Sequence, residues 1–195
     1  VYKTHPVADY LTHLLERGFS ALLEGGFLRI VRGGAEEGEY LAHHALVDEL
    51  HLTGSDRTYD AIVFGTGEEG RRRKVAGERL LDKPFTCELG CVSPVIVVPG
   101  PWSESDLAYQ GQHLAAMQVA NAGFNCLSGR VIIQQTDWRH RSALLDSLRN
   151  VLSRTPTRPA YYPGAHAIHR SFLVAHPDAD CIGDSDGVRL PWTIV

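Results

Sequence analysis

Apolar positions recur along the chain in two alternating patterns, a three-and-four spacing and short continuous runs. That alternation predicts helices interleaved with parallel strands, an α/β fold. From Val7 to Glu24, Leu11, Leu14, Leu15, Phe19, Leu22 and Leu23 keep helical spacing and predict one helix, stopped by Gly25-Gly26. Phe27 to Val31 then reads as a short buried strand, Gly33-Gly34 as a turn, Glu36 to His44 as a short helix and Glu49 to Leu52 as a strand. Ser55 suits the N-cap of a helix over Asp56 to Phe64. Its hydroxyl can accept from an unpaired amide of the first turn, and Asp56 favours the positive helix end.

The second half repeats the alternation. Lys83 to Leu89 and Val92 to Val98 read as strands, the latter interrupted by Ser93-Pro94. Asp106 to Ala120 reads as a helix that buries Leu107, Leu114 and Met117, Arg130 to Gln134 as a strand, and Arg139 to Leu152 as a helix with a stripe of Leu144, Leu145, Leu148, Val151 and Leu152. The aromatic, Pro-rich Arg158 to Pro163 is loop-like. With 195 residues, 44% of them hydrophobic, the chain can bury a core in one or two domains.

Charge narrows the function classes. A net charge of -4 offers no basic field for nucleic acid. The one basic run, Arg71-Arg72-Arg73-Lys74, lies between Glu68-Glu69 and Glu78 and reads as a self-neutralising surface. No apolar stretch approaches a membrane span and no signal-peptide pattern opens the chain, so neither membrane nor nucleic acid is an expected partner. Cys87, Cys91, Cys126 and Cys181 do not form a disulfide framework for a chain of this size, and the expectation is reduced thiols in a cytoplasm. Cys87 and Cys91 lack a second pair at metal spacing, and the histidines are scattered, so no metal site is expected. Gly65-Thr66-Gly67-Glu68-Glu69-Gly70 matches the dinucleotide fingerprint in form only. Its two carboxylates would repel a pyrophosphate, and no apolar helix face follows, so residues 65 to 82 read as a long surface loop.

Three motifs in fixed order carry the chemistry: Leu52-Thr53-Gly54-Ser55; Glu88-Leu89-Gly90 with Ser93-Pro94; and Asn121-Ala122-Gly123-Phe124-Asn125-Cys126. Together they resemble the aldehyde dehydrogenase superfamily. The resemblance implies an aldehyde dehydrogenase-like α/β fold of parallel-rich sheets with helices. It places residues 1–88 in the C-terminal part of a cofactor-binding domain and 89–195 in the N-terminal part of a catalytic domain. By the same comparison the chain is a middle portion of a longer enzyme, a homo-oligomer in its complete form, that takes a small-molecule aldehyde and NAD or NADP.

Residue by residue, the resemblance makes Cys126 the nucleophile and Glu88 the general base. A thiolate can attack an aldehyde carbonyl to give a thiohemiacetal, which becomes a thioester once hydride leaves. Hydrolysis of that thioester needs an activated water, work suited to a partly buried carboxylate. Thr53, Gly54 and Ser55 are expected beside the nicotinamide, where a turn between strand and helix N-terminus lets backbone amides approach a ligand. Lys3 is expected at the adenosine ribose. Pro6 replaces the acidic residue that commonly accepts from the ribose hydroxyls, which leaves NADP as open as NAD.

Several positions depart from the family pattern. Leu52 replaces Phe, Cys91-Val92 replaces Gly-Lys, Phe124 replaces Gln, and the spacing from Cys126 to Arg130 is one residue short. Phe124 makes the expected pocket wall more apolar and points to a hydrophobic or non-standard substrate. Two alternatives stand beside aldehyde oxidation: an acyl-thioester reductase using the same Cys126, and a catalytically silent binding or assembly subunit.

Overall fold

The computed structural model describes residues 1–195, which divide into two compact units, Val1–Leu89 and Gly90–Val195. In the first, β1 (Tyr2–Lys3) pairs in parallel with β2 (Ile30–Val31), and β3 (Leu50–Gly54) in parallel with β4 (Phe85–Leu89). The connections are helical: α1 (Thr12–Gly18) and α2 (Ser20–Glu24) link β1 to β2, α3 (Ala35–His43) precedes β3, and α4 (Asp56–Phe64) with α5 (Gly67–Ala76) links β3 to β4. Parallel neighbours require such crossovers, because a tight turn can only reverse a strand.

In the second unit β5 (Ser93–Val97) passes through α6 (Glu104–Val119) to its parallel neighbour β6 (Gly129–Gln134). Helices α7 (Arg141–Ser153) and α8 (Ala165–Ala175) follow, and β7 (Asp180–Ile182) pairs antiparallel with β8 (Trp192–Ile194). The chain therefore has a mixed α/β fold with parallel strand pairs. Its core lies in the second unit, where Leu107, Leu114 and Ala115 of α6 and Leu144, Leu148 and Leu152 of α7 meet Val97, Trp138 and Trp192. Small residues allow the two helices to approach: a Cβ on Gly111 would collide with the Ser147 hydroxyl. Ser103 starts α6 as half of a capping box, accepting from the Asp106 amide at 3.2 Å while the Asp106 carboxylate accepts from the Ser103 amide at 2.8 Å.

Three expectations need correction. The single helix over Val7 to Glu24 is three pieces, a 3-10 turn at Pro6–Leu11, then α1 and α2, which part where Phe19 leaves helical geometry (φ -108°, ψ 23°). Its apolar side is largely exposed, so no buried face holds one continuous helix. Phe27 is 85% exposed, and the strand is only Ile30–Val31. The Phe27 and Leu28 amides instead donate to the Leu22 carbonyl at 2.9 and 3.1 Å, closing α2 rather than joining a ladder. Residues 65 to 82 contain α5, a helix without an apolar face. Glu68 and Glu69 sit at its positive end and Arg73 and Lys74 at its negative end, with ion pairs at three- and four-residue spacing and Gly77 in the left-handed conformation closing it. Beyond the loop-like residues 158–163 the chain adds α8, β7 and β8.

Candidate functional site

The first unit gathers four of the expected residues at the end of one strand pair. Along β3 and β4 the parallel register sets Thr53 beside Glu88 and Gly54 beside Leu89. Chain direction therefore brings the Thr-Gly-Ser turn and the carboxylate to the same C-terminal edge, where ligands of parallel sheets collect. Ser55 has an extended backbone and caps α4, its hydroxyl accepting from the Thr58 amide at 3.1 Å. Thr53 is exposed, and Gly54 has no side chain to cover the edge. A Cβ there would press on Leu52 at 3.2 Å. Glu88 is also exposed, against the expectation of partial burial, because the short β3–β4 pair leaves this edge open to water.

Lys3 lies on the separate β1–β2 pair. Its Nζ donates to the Gly33 carbonyl at 2.7 Å and to its neighbour Thr4 at 3.0 Å, which leaves one of its three N–H donors for a ligand. A carboxylate not foreseen from the sequence stands nearby. Glu37 accepts from the Gly34 amide at 2.6 Å, and backbone amides, its own first and that of Gly34 next, hold it below the usual carboxylate range, with the Lys3 charge adding to this. Only the acidic start of α3 in the sequence could have signalled it, since Glu37 comes to Lys3 through strand pairing across some thirty residues.

In the second unit α6 ends at Val119 and runs into a tight turn over Ala120–Gly123, where Asn121 (φ 51°) and Ala122 (φ 54°) are both left-handed. The turn is tied at several points. The Asn121 side chain donates to Asn125 Oδ1 at 3.2 Å and accepts from the Tyr161 hydroxyl at 3.1 Å. Arg130 donates to the Gly123 carbonyl. Arg130 is free to do so because the β5–β6 register slips between Ser93 and Pro94, from Gly129 to Val131, and leaves it out of the ladder. Beyond the turn Cys126 is exposed and has a free thiol. Phe124, two residues earlier, packs its ring against Tyr161 and Tyr162 at centroid distances of 5.0 and 5.6 Å. The aromatic surface near Cys126 is thus wider than Phe124 alone implied, because the loop after α7 folds back onto this turn.

Cys91, which the sequence offered only as half of a pair lacking a second at metal spacing and as a departure from the family pattern, comes to lie beside Cys126. Its sulfur donates to the Cys126 carbonyl at 2.8 Å and lies 3.2 Å from Ser93 Oγ. No group of three or more His, Cys, Asp or Glu side chains is arranged to hold a metal ion, and no helix is long and apolar enough to cross a membrane.

Residues 2–171 match the aldehyde dehydrogenase family. The chain belongs to that family. Solved structures of similar fold include a gamma-glutamyl-gamma-aminobutyraldehyde dehydrogenase from Burkholderia cenocepacia (TM-score 0.63, 21% identity, 84% of this chain and 34% of that one). A second is an NAD-dependent benzaldehyde dehydrogenase from Corynebacterium glutamicum (TM-score 0.58, 18% identity, 84% and 35%). A third is proline utilization A from Bradyrhizobium japonicum (TM-score 0.71, 14% identity, 98% and 20%). No curated protein sequence matches the chain. This aldehyde dehydrogenase family member spans about a third of the length of the first structures it resembles.

Proposed function

We propose that the chain contributes the nucleophile, the general base and part of the nicotinamide site of an NAD(P)-dependent aldehyde dehydrogenase. The observation that carries this reading is the exposed Cys126 thiol just beyond a left-handed turn that side chains from three directions hold in place. A preorganised nucleophile of that kind suits attack on a carbonyl. The edge formed by Thr53, Gly54 and Ser55 suits a nicotinamide cofactor, since it is open and bare of side chain at Gly54. Lys3, with one donor left and Glu37 beside it, suits ribose hydroxyls. When bound, the cofactor supplies a hydride acceptor.

The residues of this chain act as follows. The Cys126 sulfur bonds to the aldehyde carbon and the carbonyl oxygen becomes an oxyanion, which the Cys126 backbone amide helps to stabilise. Loss of hydride leaves a thioester on Cys126. Glu88 takes a proton from water, the resulting hydroxide attacks the thioester carbon, and the C–S bond breaks to release the acid and free the sulfur. The four free cysteines support work in a reducing cytoplasm, and the family resemblance supports a homo-oligomer.

The test uses the protein expressed from its own gene, with aldehyde-dependent NAD(P)H formation as the readout. Cys126→Ala is expected to lower turnover by about four orders of magnitude or more, and retained turnover would remove Cys126 from the mechanism. Glu88→Gln is expected to slow steady-state turnover by about a hundred-fold or more while a first burst of NAD(P)H persists and an acyl adduct accumulates by intact mass. Cofactor binding with no turnover on any aldehyde would favour the silent subunit.

A further inference from the structure

We propose that Cys91 and Cys126 form a reversible disulfide under peroxide, with Cys91 as the resolving thiol that protects Cys126 from irreversible oxidation. The idea that oxidation silences the enzyme rests on the nucleophile role given above to Cys126; the linkage itself does not.

The geometry is local to the second unit. Cys91 leads into β5 and Cys126 leads into β6, and the parallel pairing of these strands brings the two segments together across thirty-five residues of sequence. The Cys91 sulfur is 2.8 Å from the Cys126 carbonyl oxygen. Two covalent bonds separate that oxygen from the Cys126 Cα, so the Cys91 sulfur stands within about 5.6 Å of the Cα. A disulfide sets its two Cα atoms about 4.4–6.8 Å apart, so closing one from this contact asks for side-chain rotation and a small approach of the two segments that lead into the strands. Rotation about χ1 swings each sulfur without moving the strands. Both residues are exposed and unpaired, so a small oxidant reaches either sulfur. The single Cys91 S–H is given to the Cys126 carbonyl, so the Ser93 hydroxyl, 3.2 Å away, can donate to the Cys91 sulfur and orient it.

The chemistry balances with hydrogen peroxide as the oxidant. The deprotonated Cys126 sulfur attacks one peroxide oxygen; the O–O bond breaks, and the departing hydroxide takes a proton to become water. Cys126 is left as a sulfenic acid. The Cys91 sulfur then attacks the Cys126 sulfur, an S–S bond forms, the S–O bond breaks, and the leaving hydroxide takes the Cys91 proton as a second water. Two thiols are oxidised by two electrons in total, and the peroxide is reduced to two waters. A thiol restores both cysteines by exchange. Without a neighbour the sulfenic acid proceeds to a sulfinic acid, which exchange cannot reverse.

The experiment treats the protein, as expressed from its gene and without substrate, with a slight excess of peroxide. Remaining thiols are alkylated, and the protein is cut by trypsin together with a glutamate-specific protease. Cleavage after Glu88, Glu104 and Arg130 places Cys87, Cys91 and Cys126 in three different peptides. The expected result is one joined pair, residues 89–104 with 105–130, an intact mass lower by two hydrogen atoms, and recovery of all four free thiols with dithiothreitol. In Cys91→Ser the pair is absent and Cys126 accumulates as a sulfinic acid that dithiothreitol does not restore. The proposal is overturned if Cys126 joins Cys87 or a second molecule instead, or if wild-type Cys126 over-oxidises as fast as it does in Cys91→Ser. These readings need no turnover, so they stand whether or not the dehydrogenase assay succeeds.

Discussion

At the scale of single residues, the turn before Cys126 stores strain that one substitution can read. Asn121 tolerates a left-handed backbone because its short polar side chain bonds locally, here to Asn125 and Tyr161. Ala122, also left-handed, makes no side-chain hydrogen bond, and its Cβ costs roughly 1–2 kcal/mol. Ala122→Gly removes that cost against a smaller loss of chain entropy, so it is expected to raise stability by up to about 1 kcal/mol. Ala122→Val puts a β-branched residue at the same φ and is expected to lower stability by more than about 1 kcal/mol. Urea titration of the three proteins checks the order; equal losses in both variants would mean that residue 122 is not left-handed. The letters of the Asn121-to-Cys126 motif were legible in the sequence, but their conformation was not, since nothing in an alanine announces positive φ. The contact of Cys91 with Cys126 was hidden for a different reason. It exists only once β5 and β6 pair.

At the scale of elements, what could be read depended on what holds each element. Helices α6 and α7 were legible because their apolar residues face one core, so periodicity and burial report the same thing. Helix α5 was not, because ion pairs and matched end charges sustain it, and those leave no apolar period. Helix α8 follows a proline-rich loop and leaves Ile168 and Val174 exposed, so its apolar positions do not mark a buried face. One residue ties α8 to β8 and makes the pair sensitive to pH. His169 Nε2 lies 2.9 Å from Thr193 Oγ1. Partial burial, first, and the neighbouring His166, second, hold its imidazole below the usual histidine range. The folded state therefore favours neutral His169, while the unfolded chain takes up the proton near pH 6.5. Between these two values the unfolded state binds more protons, so stability falls as pH drops below about 7 and stops falling below the folded value. His169→Gln keeps a hydrogen-bonding side chain without a titration, and it is expected to flatten that part of the melting-temperature profile between about pH 7 and 5. Identical profiles for the two proteins would mean that the packing of α8 does not perturb His169.

At the scale of the molecule, apolar burial is unevenly shared. The connected core of Val97, Leu107, Leu114, Leu144, Leu148, Leu152 and two tryptophans belongs wholly to Gly90–Val195. In Val1–Leu89 the buried apolar side chains are Ala42, Val63 and Leu81, and two short strand pairs carry the rest. Each fully buried leucine contributes about 1.5–3 kcal/mol, so the second unit has the larger driving force and is expected to survive to higher denaturant. The chain provides its own probe. All three tryptophans, Trp102, Trp138 and Trp192, lie in the second unit, so their fluorescence reports that unit alone, whereas far-ultraviolet circular dichroism reports helices of both. In a urea titration the dichroism is expected to begin falling before the fluorescence changes, which departs from a single two-state transition. Leu144→Ala empties a fully buried position between α6 and α7. It is expected to destabilise the fluorescence transition by about 2–5 kcal/mol and to leave the early dichroism phase where it was. If both signals instead shift together along one curve, the two units unfold as one, and the core of the second stabilises the first as well.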